Sequence, residues 1–169
     1  MPRVLVRLLT VAILSVTALV GAVTPASAAT GFSCTDRSGG ARGFIGHVTD
    51  VRMAQHATFD RFVVQFREHR VPVFDVSRQR TSRFVLDASG RPVTLLGHAG
   101  IKVELKRARA FGSYHGPRDF KPRFPQLREA RQTGDFEAVN SWGLGVHRNS
   151  CMRVFTLSAP ARLVIDTRH

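Results

Sequence analysis

Apolar and polar residues alternate with a period of two along much of the chain, which is the pattern of half-buried β-strands. The clearest case is 101–106, where three apolar side chains alternate with three charged ones. In 61–67, Phe62, Val64 and Phe66 share one face in the same way. Both segments therefore predict strands with one face in a core and the other in solvent.

Several shorter segments give further strand signals, separated by turn signals. The segment 87–92 combines Asp, Ser, Gly and Pro and predicts a turn, as do 56–58 and 133–135. The segment 127–132 fits either one helical turn or a short strand. The remaining strand candidates are 49–53, 71–76, 84–86, 93–96, 136–139, 144–146, 152–157 and 163–166. Many short strands with frequent turns and almost no helix predict an all-β sandwich or barrel.

The start of the chain has the pattern of a secretory signal peptide. Arg3 and Arg7 precede an uncharged apolar run over 8–23, and Ala26 and Ala28 supply the small residues that signal peptidase recognises. We expect residues 1–28 to be removed, which leaves an arm at 29–43 and a domain at 44–169. A membrane anchor is the alternative, but the apolar run is shorter than the roughly 20 residues of a spanning helix.

The charge balance changes the expected partners. The chain carries a net charge of +13, and loss of Arg3 and Arg7 with the signal peptide would leave +11. Such an excess indicates an anionic environment or partner. Export argues against nucleic acid as the main partner, and wall polymers are the better candidates. We expect the mature protein to be secreted, without a membrane span, and either retained at the cell wall or released.

The two cysteines, Cys34 and Cys151, predict one disulfide bond, because isolated cysteine pairs in an oxidising compartment usually pair with each other. A free catalytic thiol is the alternative, and no His or Asn pattern supports it. The disulfide would tie the start of the mature chain to a late strand.

Catalytic motifs are missing from the sequence. It contains no Gly-x-Ser-x-Gly, no His-Glu-x-x-His and no phosphate-binding glycine loop. Asp60 and Asp166 each end an apolar strand segment, close in sequence to Arg61 and Arg162 respectively. We expect these residues to form Asp–Arg pairs that brace strand ends. We therefore expect no enzymatic activity, no cofactor and no native metal site.

The long loop at 111–125 is the best candidate for a binding region, because long loops in compact domains are often functional. It offers, in one exposed stretch, an aromatic side chain for stacking and cationic side chains for contacts with carboxylates or phosphates. The alternative is that these residues only keep a surface loop soluble. Trp142, the only tryptophan, is more typical of a core anchor. The candidate binding residues are Tyr114, His115, Arg118, Lys121 and Arg123.

Five segments together resemble a known family: 56–66, 90–93, 134–137, 142–145 and 160–166. In order and spacing they are similar to the AMIN-like domain of actinobacterial secreted proteins and lipoproteins, which is related to the AMIN domains of wall amidases and secretins. The resemblance implies a small β-sandwich of two sheets that binds peptidoglycan or other envelope components without catalysis. The alternative function is an extracellular interaction or inhibitor domain for an acidic protein partner.

Overall fold

The computed structural model describes residues 31–169, so the predicted signal peptide and its cleavage site lie outside the described residues. The described part contains strands and no helix. Its strands are β1 (Arg37–Gly39), β2 (Gly46–Gln55), β3 (Phe59–Phe66), β4 (Phe74–Gln79), β5 (Arg83–Val85), β6 (Pro92–Thr94), β7 (Ala99–Lys106), β8 (Ala108–Arg109), β9 (Asp119–Phe120), β10 (Leu127–Phe136), β11 (Val139–Val146), β12 (Met152–Ser158) and β13 (Ala161–Arg168).

Two main sheets form a sandwich. One has six strands in the order β1-β4-β7-β11-β10-β9, and the other has five in the order β12-β13-β3-β2-β8. All neighbours are antiparallel except β2 and β8. The prediction of an all-β sandwich of two sheets is confirmed.

The alternating pattern explains which side chains fill the space between the sheets. In β7, the side chains of Ile101, Val103 and Leu105 are buried. In β3, every second side chain is buried in the same way, including that of Phe62. Burying an aliphatic or aromatic side chain of this size stabilises a fold by about 1.5–3 kcal/mol. The strand predictions at 61–67 and 101–106 are therefore confirmed.

Trp142 lies at the centre of the core, as expected for a tryptophan that acts as a core anchor. Its side chain is fully buried, and its indole Nε1–H donates to the side-chain oxygen of Asn140 at 2.9 Å. The rings of Phe62, Tyr114 and Phe120 surround it at centroid distances of 5.7–6.3 Å. The buried N–H is thus satisfied while the ring contacts residues from both sheets.

A small hairpin, β5–β6, covers part of the outer face of the six-stranded sheet. The turn predicted at 87–92 connects its two strands and is confirmed. The Phe84 ring packs over Gly100 and Gly143, where an added Cβ would approach the ring to 2.7 and 3.0 Å. Glycine at both positions therefore allows the hairpin to lie flat on the sheet.

The predicted turn at 133–135 is wrong. Residues 127–136 form one long strand, β10, with a bulge between Gln132 and Gly134. Gly134 is needed there, because a Cβ would lie 1.6 Å from the Asp87 carboxylate. The chain reverses instead at Glu137 and Ala138, which both have positive φ values, 49° and 58°. The two candidates at 136–139 and 144–146 accordingly belong to one hairpin, with β11 continuous from 139 to 146.

The predicted disulfide between Cys34 and Cys151 is confirmed. It joins the N-terminal segment to the residue that precedes β12. The same segment also contributes β1, which pairs with β4 at the edge of the six-stranded sheet. In the chain-entropy model, a crosslink across 117 residues stabilises the folded state by about 4–5 kcal/mol.

Within residues 31–169, no helix is long and apolar enough to cross a membrane.

Candidate functional site

The loop predicted at 111–125 extends to Gln126 in the structure, since β10 begins at Leu127. This loop, 111–126, lies where both sheets have an open edge. Within it, Asp119 and Phe120 form β9, the edge strand of the six-stranded sheet. In the five-stranded sheet, β2 pairs with β8 only at Gly46 and His47. Among residues 31–169, no strand therefore pairs with the outer side of 48–55, and this part of β2 is also an edge.

A cleft of about 620 Å³ lies between these two edges. Its size is within the range of pockets that bind small ligands or short polymer segments. The floor is apolar, and the rim is charged. Val51, Met53, Pro117, Phe120, Pro122 and Phe124 form the floor, and Arg52, Asp119 and Lys121 form the rim.

Four of the five predicted binding residues are exposed, and one of them lines the cleft between β2 and β9. Lys121 lines it directly, with its Nζ 3.4 Å from the Asp119 carboxylate. Arg118 lines a neighbouring polar cleft of about 440 Å³ together with Arg131. His115 and Arg123 are exposed on the same loop. Their role in binding remains a prediction.

The prediction that Tyr114 is an exposed stacking residue is wrong. Only 5 % of its surface is exposed, and its ring meets Trp142 edge-on at 6.3 Å. Its hydroxyl donates to the Pro117 carbonyl at 2.6 Å. Burial raises the pKa of Tyr114 to about 12, with the Asp50 charge acting in the same direction. Tyr114 therefore anchors the loop to the core instead of contacting a ligand.

Two carboxylates hold the ends of the loop. At its start, Asp135 accepts hydrogen bonds from the backbone N–H groups of Ala110 and Phe111, the shortest at 2.7 Å. At its end, the fully buried Asp60 accepts from the N–H groups of Gln126 and Leu127 at 2.7 and 2.8 Å. The loop is thus held at both ends by charge-assisted hydrogen bonds, which are stronger than neutral ones.

The expected pairing of Asp60 with an arginine is wrong. Strand alternation turns Asp60 into the core and Arg61 towards the outer face of β3. Besides the two amides, the only hydrogen-bond partner of the Asp60 carboxylate among residues 31–169 is the ring of His169, whose Nε2 lies 2.9 Å from Oδ1. The sequence correctly placed Asp60 at the end of a strand. Its carboxylate, however, binds the end of the loop at Gln126, which lies 66 residues away in the sequence.

A further buried carboxylate lies on β10, the strand that pairs with β9. Glu129 of β10 is almost fully buried and accepts a hydrogen bond from the backbone N–H of Leu96 at 2.8 Å. Burial raises the pKa of Glu129, and the nearby charge of Asp119 raises it further, whereas the Leu96 N–H acts in the opposite direction. The described residues, 31–169, contain no group of three His, Cys, Asp or Glu side chains that could hold a metal ion.

The floor of the cleft was not predicted from the sequence. A signal was present, because Phe120, Pro122 and Phe124 alternate with charged residues inside the loop. Such spacing places the three apolar side chains on one side of an extended segment. Their contact with β2 depends on the topology, which the loop sequence alone does not reveal.

Two of the segments that first suggested a family, 56–66 and 134–137, carry Asp60 and Asp135, which hold the ends of the loop. A family model, the AMIN-like domain, matches residues 46–169. The chain belongs to the AMIN-like domain family. The match covers more than half of the chain and confirms the resemblance. Neither the search of curated proteins nor the search of solved structures finds a match.

Family membership relates this AMIN-like domain to the cell envelope. The family and the Cys34–Cys151 disulfide are both consistent with an extracytoplasmic location, since disulfides persist mainly in oxidising compartments.

Proposed function

We propose that this AMIN-like domain is a secreted, non-catalytic module that binds the cell envelope, with peptidoglycan or an anionic wall polymer as its ligand. The observation that carries the proposal is the cleft between β2 and β9. It combines an apolar floor with exposed cations on a loop that is fixed at both ends.

The chemistry of the cleft suits such a ligand. Peptidoglycan peptides carry methyl groups and free carboxylates, and many wall polymers carry phosphates. The apolar floor of Phe120 and Met53 offers a surface for small apolar groups. Lys121 and the neighbouring Arg118 supply donors to carboxylate or phosphate oxygens, and arginine can bind these groups with two parallel hydrogen bonds.

A fixed loop favours binding because little conformational entropy is lost when the ligand arrives. Tyr114, Asp60 and Asp135 hold the backbone of the loop by side-chain contacts that do not involve its exposed cations. The cations can therefore meet a ligand while the loop keeps its shape. The first 28 residues, proposed to direct secretion, would deliver the domain to the compartment that contains the ligand.

The high net charge alone would also draw the protein to an anionic wall, so the test has to separate specific from general attraction. The purified protein should be co-sedimented with isolated cell walls over a series of salt concentrations, beside an inert protein of equal charge. Exposed ion pairs are strongly screened at high salt, where the Debye length is about 3 Å at 1 M. Wall binding that outlasts that of the control supports the proposal, and binding that disappears together with it contradicts a specific site.

The open edge of β2 favours a second candidate function. An extended peptide from a protein partner could add to this edge as a further strand, a common mode of peptide recognition. The domain would then act as an extracellular interaction or inhibitor module for an acidic partner. Crosslinking in culture medium would test this, since recovery of one defined protein in place of wall material supports the second candidate.

A further inference from the structure

The outer face of the five-stranded sheet carries two arginines around one buried carboxylate. Strand register places Arg153 of β12 opposite Asp166 of β13, and Asp166 opposite Arg61 of β3. The Asp166 side chain has no exposed surface, whereas 28 % of Arg61 and 22 % of Arg153 remain exposed. The three side chains thus form one row across three strands, with the acid covered and the bases reaching solvent.

The hydrogen bonds leave part of each guanidinium unused. Arg61 binds the two Asp166 oxygens through Nε and Nη2 at 2.7 and 3.0 Å. Arg153 also uses Nε and Nη2, and both bind Asp166 Oδ2. Among residues 31–169, the Nη1 group of each arginine has no hydrogen-bond partner. One carboxylate balances only one of the two positive charges.

The guanidinium groups are also held in place by aromatic rings. Arg153 lies 5.1, 5.2 and 5.7 Å from the ring centroids of Phe32, Phe59 and Phe155. Arg61 lies 5.3 and 5.6 Å from Phe59 and Phe155. Such contacts attract a cation and exclude water from its flat faces, which strengthens hydrogen bonds made at the open edge. The arrangement is therefore fixed before any ligand arrives.

Other arginines of the chain differ in this respect. Arg78 donates to the backbone carbonyls of Cys34, Asn149 and Ser150, so its N–H groups are used within the fold. Arg162, four residues before Asp166 in β13, donates to the Pro160 carbonyl and does not contact Asp166. It lies on the same outer face as Arg61 and Arg153 but outside the aromatic cluster, which makes it a matched control.

The outer face of the sheet around Arg61 and Arg153 is also positively charged. Strand register places further cations on it at Arg52, Arg162 and Arg168, and it places Asp50 there as an acid besides Asp166. Five arginines thus share this face with two aspartates. An anion that approaches the row would be attracted by the whole face and then held by the two free guanidinium edges.

We infer that Arg61 and Arg153 form a binding site for one oxyanion group, a carboxylate or a phosphate, separate from the cleft beside β9. The role of this site as a second contact for the envelope ligand rests on the proposed function. Its oxyanion binding is nevertheless a property of the row itself and can be measured without any wall material.

The direct test is a titration of the purified protein with inorganic phosphate and, separately, with acetate, against sodium chloride at equal ionic strength. The arginine side-chain Nε resonances would be followed by NMR. Saturable shifts at Arg61 and Arg153 that exceed those at Arg162 are expected. A phosphate preference identifies a phosphate-bearing polymer as the source, and an acetate preference identifies peptide carboxylates. No saturable shift with either anion overturns the inference.

A conservative variant provides a second measurement. Arg153→Lys keeps the positive charge but loses the planar donor edge, so oxyanion affinity should fall by about tenfold. The matched variant Arg162→Lys should leave affinity unchanged. Equal effects of the two variants would overturn the inference. If Arg153→Lys does not fold, the titration of the unaltered protein decides by itself.

The wall sedimentation test distinguishes this site from the proposed function. Salt-resistant wall binding without any oxyanion shift at Arg61 and Arg153 removes the inference and leaves the proposed function intact. Oxyanion shifts at both arginines without specific wall binding leave the site intact and remove the envelope function.

Discussion

The buried carboxylate of Asp60 accepts a hydrogen bond from the backbone N–H of Leu127 at 2.8 Å, across 67 residues of sequence. The same oxygen accepts from Gln126, so one side chain of β3 satisfies two successive amides where the loop at 111–126 enters β10. This contact links the centre of the five-stranded sheet to the end of the loop that carries the candidate binding residues. It explains how an exposed, proline-rich loop is held beside an open sheet edge.

Removal of this carboxylate should destabilise the fold. Asp60→Ala would leave two buried N–H groups without an acceptor, and each such group costs about 1–3 kcal/mol. We expect the free energy of unfolding, measured by chemical denaturation, to fall by about 2–6 kcal/mol. Asp50→Ala is the control, because the partly exposed Asp50 carboxylate forms a surface ion pair with Arg52, and its loss should change stability by less than about 1 kcal/mol. Similar losses in the two variants would contradict the role assigned to Asp60.

Glu129 predicts a pH dependence of stability with a defined sign. Burial raises its pKa in the folded state above the ordinary value of a glutamate, 4.5, so the folded state holds the proton more tightly than the unfolded state. Ionisation of Glu129 therefore disfavours folding at pH values above the folded pKa, and this penalty is relieved as the pH falls towards 4.5.

Glu129→Gln would remove the titration and keep an oxygen for the Leu96 N–H. We expect the variant to be more stable than the unaltered protein at pH 7 and to lose this advantage at pH 4. Denaturation curves of both proteins at the two pH values provide the measurement. A constant difference between them would show that Glu129 is not the titrating group.

The disulfide predicts a redox dependence of stability. Replacement of Cys34 and Cys151 by serine should lower the free energy of unfolding by about 2–5 kcal/mol, because the unfolded chain regains the entropy of a long loop. A reducing agent should destabilise the unaltered protein by a comparable amount and leave the double variant unchanged. Sensitivity of the double variant to the reducing agent would point to another cause.

The sequence predicted the strands best where one face is buried and the other is solvated. In β7 and β3 the alternation of apolar and polar residues matches the alternation of buried and partly exposed positions. The prediction fails where residues typical of turns serve another structural role. Gly134 and Asp135 form a turn signal in the sequence, but Gly134 serves a bulge and Asp135 binds loop amides, so the strand continues through them.

The candidate site was predicted only in part, because its position depends on long-range contacts. The exposed loop cations were recognisable from composition. Tyr114 was misplaced because its burial against Trp142 comes from packing between distant segments. The expected pair of Asp166 with Arg162 is wrong, because the partners of Asp166 are Arg61 and Arg153 on adjacent strands, a pairing set by strand register.

The loop cations carry the central claim of envelope binding, and a pair of triple variants tests it most directly. Arg118, Lys121 and Arg123 would be replaced by alanine in one variant. In the matched variant, the exposed residues Arg42, Arg67 and Arg80, which lie outside the loop, would be replaced instead. Both variants lose three positive charges, so the general electrostatic attraction to the wall should weaken to the same extent in both.

The measurement is co-sedimentation of both variants and the unaltered protein with isolated cell walls at moderate and high salt, with thermal stability recorded alongside. The account predicts that the loop variant loses salt-resistant wall binding without loss of thermal stability, while the matched variant retains it. Equal binding by the two variants would show that charge alone attracts the protein to the wall and would contradict a binding site at the loop and cleft.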